Sequence, residues 1–133
     1  MKWAVECAEH ALPLFGEKID ERLLNALKAA KDWREGKATV GEARNAAFAA
    51  HAVARESSDP TAVAVARSVG HAVATAHMAD HSLGAALYAL KAVKAAGKSV
   101  DSERNWQEAK LPAHIKGLVL TALESPKFKR FKI

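Results

Sequence analysis

The sequence predicts an all-α fold, a compact bundle of about six or seven helices around a central helix rich in alanine and valine. Three observations lead there. Half of the residues are hydrophobic but only 6% are aromatic, and alanine carries much of the apolar content, which suits closely approaching helices better than a sheet of β-branched and aromatic side chains. Residues that start and stop helices recur at ordinary helix lengths. Between them, apolar residues return at intervals of three and four. A chain of 133 residues suits a single domain, 1–133, ending in a short basic tail at about 126–133.

The elements follow from this punctuation. A first helix is expected over roughly Trp3 to Phe15, its last turn disturbed by Pro13, with a stop near Gly16. A second begins after Asp20 and stops at Gly36, with Leu23, Leu24, Leu27, Ala30 and Trp33 in helical spacing. Thr39 and Glu42 form a capping box that opens a third helix reaching about Ser57. Asp59 followed by Pro60 starts a fourth, because the aspartate caps free amides and proline at the first position lacks only an amide with no partner. Unbroken to Ala96, that helix would be about 55 Å long at 1.5 Å per residue, too long for a compact domain of this size. A break at Met78 to Asp80, with Asp80 capping a fifth helix that runs to Gly97, resolves this. A sixth helix follows Asp101, and Pro112 starts a seventh that reaches about Glu124.

The stretch from Pro60 to Ala79, PTAVAVARSVGHAVATAHMA, carries one formal charge, Arg67, and two imidazoles, His71 and His77. A helix without a charged face belongs inside a protein, so Arg67 must be paired or must border a cavity. The stretch approaches bilayer-spanning length, yet Arg67, the histidines and weakly apolar alanines make insertion unfavourable.

Several function classes drop out. A single cysteine, Cys7, forms no internal disulfide, which excludes a stapled secreted scaffold and fits a small buried residue in a reducing compartment. Glu6 and Glu9 fall where a signal peptide needs its apolar region, so the expected location is cytoplasmic. No glycine-rich phosphate loop, CxxC pair or GxSxG elbow occurs. The net charge of +5 is unevenly placed, with residues 1–21 holding two lysines against five acids. The tail SPKFKRFKI alternates bases with Phe128 and Phe131, but one small basic cluster does not make a nucleic-acid interface the expected reading.

At 100° per residue, the third helix puts Val40, Arg44, Ala47, His51, Ala54 and Arg55 on one side. In the fourth, Val65, Val69 and Val73 form one seam while Arg67 and His71 share the opposite stripe. In the fifth, His81, Ala85, Tyr88 and Ala92 lie opposite Leu83, Leu87 and Leu90. Small residues permit close helix approach, so Arg44, His51, Arg55, Arg67, His71, His77, His81 and Tyr88 are expected to converge in a polar seam that either binds a ligand or holds the helices together.

Three chemistries fit such a seam beside a purely structural role. His77 and His81 have the i, i+4 spacing of a metal pair, but only Asp80 adds a carboxylate and no HExxH occurs, so no metal and no cofactor is expected. Arginine forks on Arg44, Arg55 and Arg67 suit an anion, with neutral histidines adding donors. Acid and base catalysis is the weakest, since no nucleophile has a partner fixed by spacing. In the structural reading, the arginines are internal clamps on Glu56, Asp59 and Asp80.

The segments AAFAAHAVARE at 46–56 and ARSVGHAVATAHMADHSLGAALYALKAV at 66–93 resemble the Imm-five-like immunity proteins encoded beside bacterial polymorphic toxins. AAKDWREGK before them and WQEAKLP after them extend the likeness over most of residues 29–112. The resemblance implies a small all-helical cytoplasmic protein that binds a cognate toxin and blocks it without catalysis. It brings no functional residues with it. The recognisable run is interior in character, so under this reading it is scaffold, and the partner surface is expected on the first two helices, the loops or the basic tail. The resulting expectation is a non-catalytic binding protein with a protein partner and no membrane. The alternative is a helical domain that binds a small molecule or anion in a pocket of Arg44, His51, Arg55, Arg67, His71 and His81.

Overall fold

The computed structural model describes residues 1–76 and 81–123, and every regular element among them is helical. Helix α1, Lys2–Ala11, runs into a 3-10 turn, Leu12–Phe15; α2 spans Glu21–Arg34, α3 Val40–Glu56, α4 Pro60–Ala74, α5 His81–Ala95, α6 Val100–Lys110 and α7 Ala113–Leu123. The expected break at Met78 to Asp80, the Asp80 cap and the basic tail lie outside the described residues. No described helix is long and apolar enough to cross a membrane.

Helix starts follow the capping chemistry. Asp20 and Asp59 each accept an amide hydrogen two residues on, from Arg22 and Thr61. Thr39 and Glu42 close both bonds of the capping box, at 3.0 and 3.1 Å. Two helices stop in the same way. Gly36 and Gly97 take φ of 74° and 75°, and the amide after each reaches back to the carbonyl five residues earlier, Lys37 to Asp32 and Lys98 to Val93. That left-handed turn strains any residue with a Cβ, which is why glycine stands there.

Two boundaries differ from the sequence expectation. Pro13 does more than disturb a last turn, because α1 ends at Ala11 and the chain tightens into the 3-10 turn around the proline. The sixth helix is capped by Ser99, whose hydroxyl accepts from the Ser102 amide, while Asp101 sits inside the first turn and pairs with Arg104 at 3.2 Å. Both residues suit a helix start, and the serine stands two positions earlier.

Helix α4 packs against α1, α2, α3 and α5. Val65, Val69 and Val73 are completely buried, and so are Ala66, Ala72 and Ser68. The small residues let backbones approach closely, and the Ser68 hydroxyl donates to the Ala85 carbonyl across the α4–α5 contact at 2.7 Å. Helix α6 is fixed to this core by polar bonds rather than by a broad apolar face. Trp3 Nε1 donates to the Gln107 carbonyl at 2.8 Å, and Gln107 Nε2 donates to the Ala86 carbonyl at 2.9 Å. Of the apolar set expected on α2, Leu23 and Ala30 are buried, Leu27 and Trp33 pack at the edge, and Leu24 stands outside the core at 46% exposure. Ala26 takes an interior place instead.

Thr39→Ala removes the acceptor of the Glu42 amide at the α3 start, while the backbone amide of residue 39 still donates to the Glu42 carboxylate. Urea unfolding is expected to lose about 1 kcal/mol, with Thr39→Ser retaining most of it. An equal loss in both variants would assign the effect to the threonine methyl.

Candidate functional site

The seam residues fall into an interlocked group and two outliers. His51 on α3 lays its ring over Gly70 of α4, where an added Cβ would lie 2.6 Å from His51 Cε1. His71, the next residue, repeats the arrangement one helix further on. Its ring covers Gly84 of α5, where a Cβ would lie 2.9 Å from His71 Nδ1. Two glycines inside helices are unfavourable by propensity. Here each makes room for an imidazole from the preceding helix, so α3, α4 and α5 are keyed together in series.

Hydrogen bonds assign the protons. Arg67 Nη1 meets His51 Nδ1 at 2.8 Å, and since a guanidinium only donates, His51 Nδ1 accepts and its ring hydrogen resides on Nε2. His71 Nδ1 and His81 Nδ1 are 2.7 Å apart. One of them therefore donates and the other accepts, so these two rings hold opposite roles at Nδ1. The His71 ring also stacks on Tyr88, with centroids 5.2 Å apart and planes 14° from parallel, and meets the edge of His51 at 5.2 Å.

Both inner rings resist protonation. Burial lowers the pKa of His51 to about 4, assisted by the charges of Arg67, His81 and Arg55. Burial likewise lowers that of His71 to about 4, with His51, His81 and Arg67 adding to it. Near pH 7 these rings are neutral, which the bond accepted from Arg67 also requires.

The remaining expected residues stand apart. Arg55 is exposed one turn beyond His51, near enough for its charge to act on that ring. Arg44 is exposed about two turns before it. His77 lies outside the described residues, and with it the His77–His81 metal pair. Among the described residues, no group of three His, Cys, Asp or Glu is placed to hold a metal ion. Of the carboxylates proposed as clamps, Asp80 lies outside the described residues, while Glu56 pairs with Arg22 at 2.8 Å and Asp59 caps α4. Arg67 thus meets an uncharged ring where a carboxylate was expected.

A second polar cluster has no counterpart in the sequence reading. His10 of α1 stacks on Trp106 of α6 at 3.6 Å, nearly parallel, and its Nδ1 lies 2.7 Å from the buried Glu103 carboxylate. These partners are 93 positions or more apart, and no spacing rule reaches so far. The glycines were within reach, since a glycine inside a helical pattern signals a bend or a close approach. Two buried nucleophiles are inactivated or occupied: burial, with Glu103 and Glu6 nearby, pushes the Cys7 thiol up, and the Ser68 hydroxyl is committed to Ala85.

Gly70→Ala is expected to lower stability by about 1–2 kcal/mol, because displacing the His51 ring outweighs the better helix propensity of alanine. Gly117→Ala, with open space around its Cβ, should instead gain about 0.5–1 kcal/mol in the same urea titration. Acid provides a second test. His51 and His71 have folded pKa values below their ordinary 6.5, so the unfolded chain binds more protons between pH 6.5 and about 4. Stability therefore falls as pH drops through that window. A loss of about 2 kcal/mol is expected, reduced from full linkage because both rings retain some solvent contact. A midpoint constant from pH 6.5 to 4.5 would contradict it. Asp20 and Glu56, held below the usual carboxylate range by Arg22, add their own loss as pH falls through their ordinary values of 4.5 for Glu56 and 3.8 for Asp20, at the acid end of that window and below it.

No curated protein and no solved structure gives a significant match to this chain. A family model described as "Imm-5 like putative immunity protein" matches residues 1–114. That span holds α1 through α6, both polar clusters and the two keyed glycines. On a match over that much of 133 residues, the chain belongs to the Imm-5 like immunity protein family.

Proposed function

We propose that this chain is a non-catalytic inhibitor that binds a cognate bacterial toxin in the cytoplasm of the cell that makes it. The family match over residues 1–114 is the observation that carries the reading. The chemistry of the interior supports it. His51, Arg67, His71, His81 and Tyr88 are engaged with one another, and side chains that bond and stack on one another across three helices suit the role of holding those helices in register. In this reading the seam is scaffold, and the toxin meets the outer surface.

The test is co-expression. Each reading frame beside this one is induced in a bacterial host with and without this chain, and growth is followed. One neighbour is expected to arrest growth alone and to be tolerated when this chain is present, with the two proteins co-purifying. If every neighbour is harmless alone, the immunity reading is lost. If protection occurs without a complex, direct inhibition is lost.

A further inference from the structure

Helices α1 and α2 both pack on α4 but leave a groove of about 620 Å³ between them. Its floor is apolar, formed by Val5 and Leu12 on one side and Leu24 and Leu27 on the other. Leu24, a large side chain at 46% exposure, is the most open part of that floor. The residues facing the groove form one stripe on each helix: positions 2, 5, 6, 9 and 12, and positions 24, 27, 28, 31 and 34. These are the intervals of a single helix face.

The walls differ in charge. Glu6 and Glu9 rise from α1 beside Lys2, and Lys31 and Arg34 from α2 beside Lys28 and Glu35, which pair with Asp32 and Lys37. Glu6, Glu9, Lys31 and Arg34 make no ion pair among the described residues. Away from the groove the surface pairs opposite charges readily: Arg22 with Asp20 and Glu56, and Arg104 with Asp101. Across the groove, long and flexible side chains of opposite sign face a gap they do not close.

We infer that the α1–α2 groove is a docking site for one amphipathic helix of a protein partner, whose apolar ridge covers Leu24 and Leu27. Its basic flank lies against Glu6 and Glu9, and its acidic flank against Lys31 and Arg34. An apolar face sitting in such a groove is a common mode of recognition, with anchors one turn apart. The opposed walls add a selection that a neutral groove lacks. A helix charged alike on both flanks meets repulsion on one wall, and a helix with one flank of each sign satisfies both walls in one direction only. Assigning that helix to the toxin rests on the immunity reading above. The shape and charge of the occupant do not.

The test uses three synthetic helical peptides with the same leucine ridge, carrying lysine and glutamate on opposite flanks, lysine on both, or glutamate on both. Binding to the full chain is followed by fluorescence anisotropy. The mixed-flank peptide is expected to bind about tenfold more tightly than either uniform one. Leu24→Glu abolishes the binding, whereas Phe48→Glu on the outer face of α3, an equally drastic change at a 58% exposed residue, leaves it unchanged. Glu6→Lys combined with Glu9→Lys makes both walls basic and should transfer the preference to the all-glutamate peptide. All substituted side chains are at least partly exposed, and circular dichroism confirms the fold of each variant.

Equal binding of the three peptides, a wild-type preference for the all-glutamate peptide, or full binding by Leu24→Glu each overturns the site. A toxic neighbour found by co-expression adds a further arm. If Leu24→Glu still protects fully, or Phe48→Glu alone fails to protect, the toxin docks elsewhere and its assignment to the groove is overturned, while the immunity reading stands and the peptide series decides the groove. If no neighbour is toxic, the immunity reading falls and the peptide series still decides the groove.

Discussion

How closely neighbouring helices approach α4 governs the rest of this structure. The helix is alanine, valine, glycine and serine over most of its length, and α1, α2, α3 and α5 all lie against it. Close approach has a chemical consequence. Water is excluded from the contacts, so every polar group carried into them needs a partner inside the protein, and an orphan costs about 1–3 kcal/mol. That is a large share of a net stability of roughly 5–15 kcal/mol. Among the described residues, no buried side-chain nitrogen or oxygen lacks a hydrogen-bond partner.

Histidine meets this requirement in a way that a hydrophobe does not. A neutral imidazole is flat enough to lie on a glycine, offers one donor and one acceptor, and presents a face for stacking. His51 uses its acceptor for Arg67 and its edge for His71; His71 uses Nδ1 for His81 and its face for Tyr88. Each contact fixes one helix relative to the next. Sliding α3 by a turn would take His51 off Gly70 and present it with a Cβ, losing the arginine bond as well. Alanine-rich faces by themselves specify register weakly because their surfaces are nearly uniform. The rings restore what the alanines lack, and their low pKa follows from the same burial.

Much of this architecture was readable in the sequence because its causes are local. Caps at Asp20, Thr39 and Asp59, stops at Gly36 and Gly97, and the stripes of α3, α4 and α5 all depend on residues within about one or two helical turns. What was not readable depends on pairs distant in sequence or on competition between neighbours. His10, Glu103 and Trp106 meet only because α1 and α6 are both held to the core. Ser99 and Asp101 are both good caps, and sequence alone does not rank them. For two of the three expected clamp carboxylates the partner differs for a geometric reason: Glu56 is exposed at the end of α3, where it meets Arg22, and Asp59 caps α4, whereas Arg67 reaches the ring of His51. Gly70 and Gly84 carry a local signal of their own, since a glycine inside a helix is costly and calls for a close approach to explain it.

The groove between α1 and α2 is a by-product of the same close approach. Helix α1 meets the core through Trp3, Ala4, Val5, Cys7, Ala8 and Ala11, and α2 through Leu23, Ala26 and Ala30. Apart from Trp3, Val5 and Leu23 these are small, so along much of their length both helices can lie close to the core. Not every larger apolar residue is taken inside. Leu12, Leu24 and Leu27 face the space between the two helices, where they line a floor without sealing it. A bulkier interior would lift the helices and let those leucines turn inward. The composition that closes the centre around neutral histidines therefore leaves apolar surface outside, between walls of opposite charge. That is where a protein with a saturated interior has chemistry left to offer a partner.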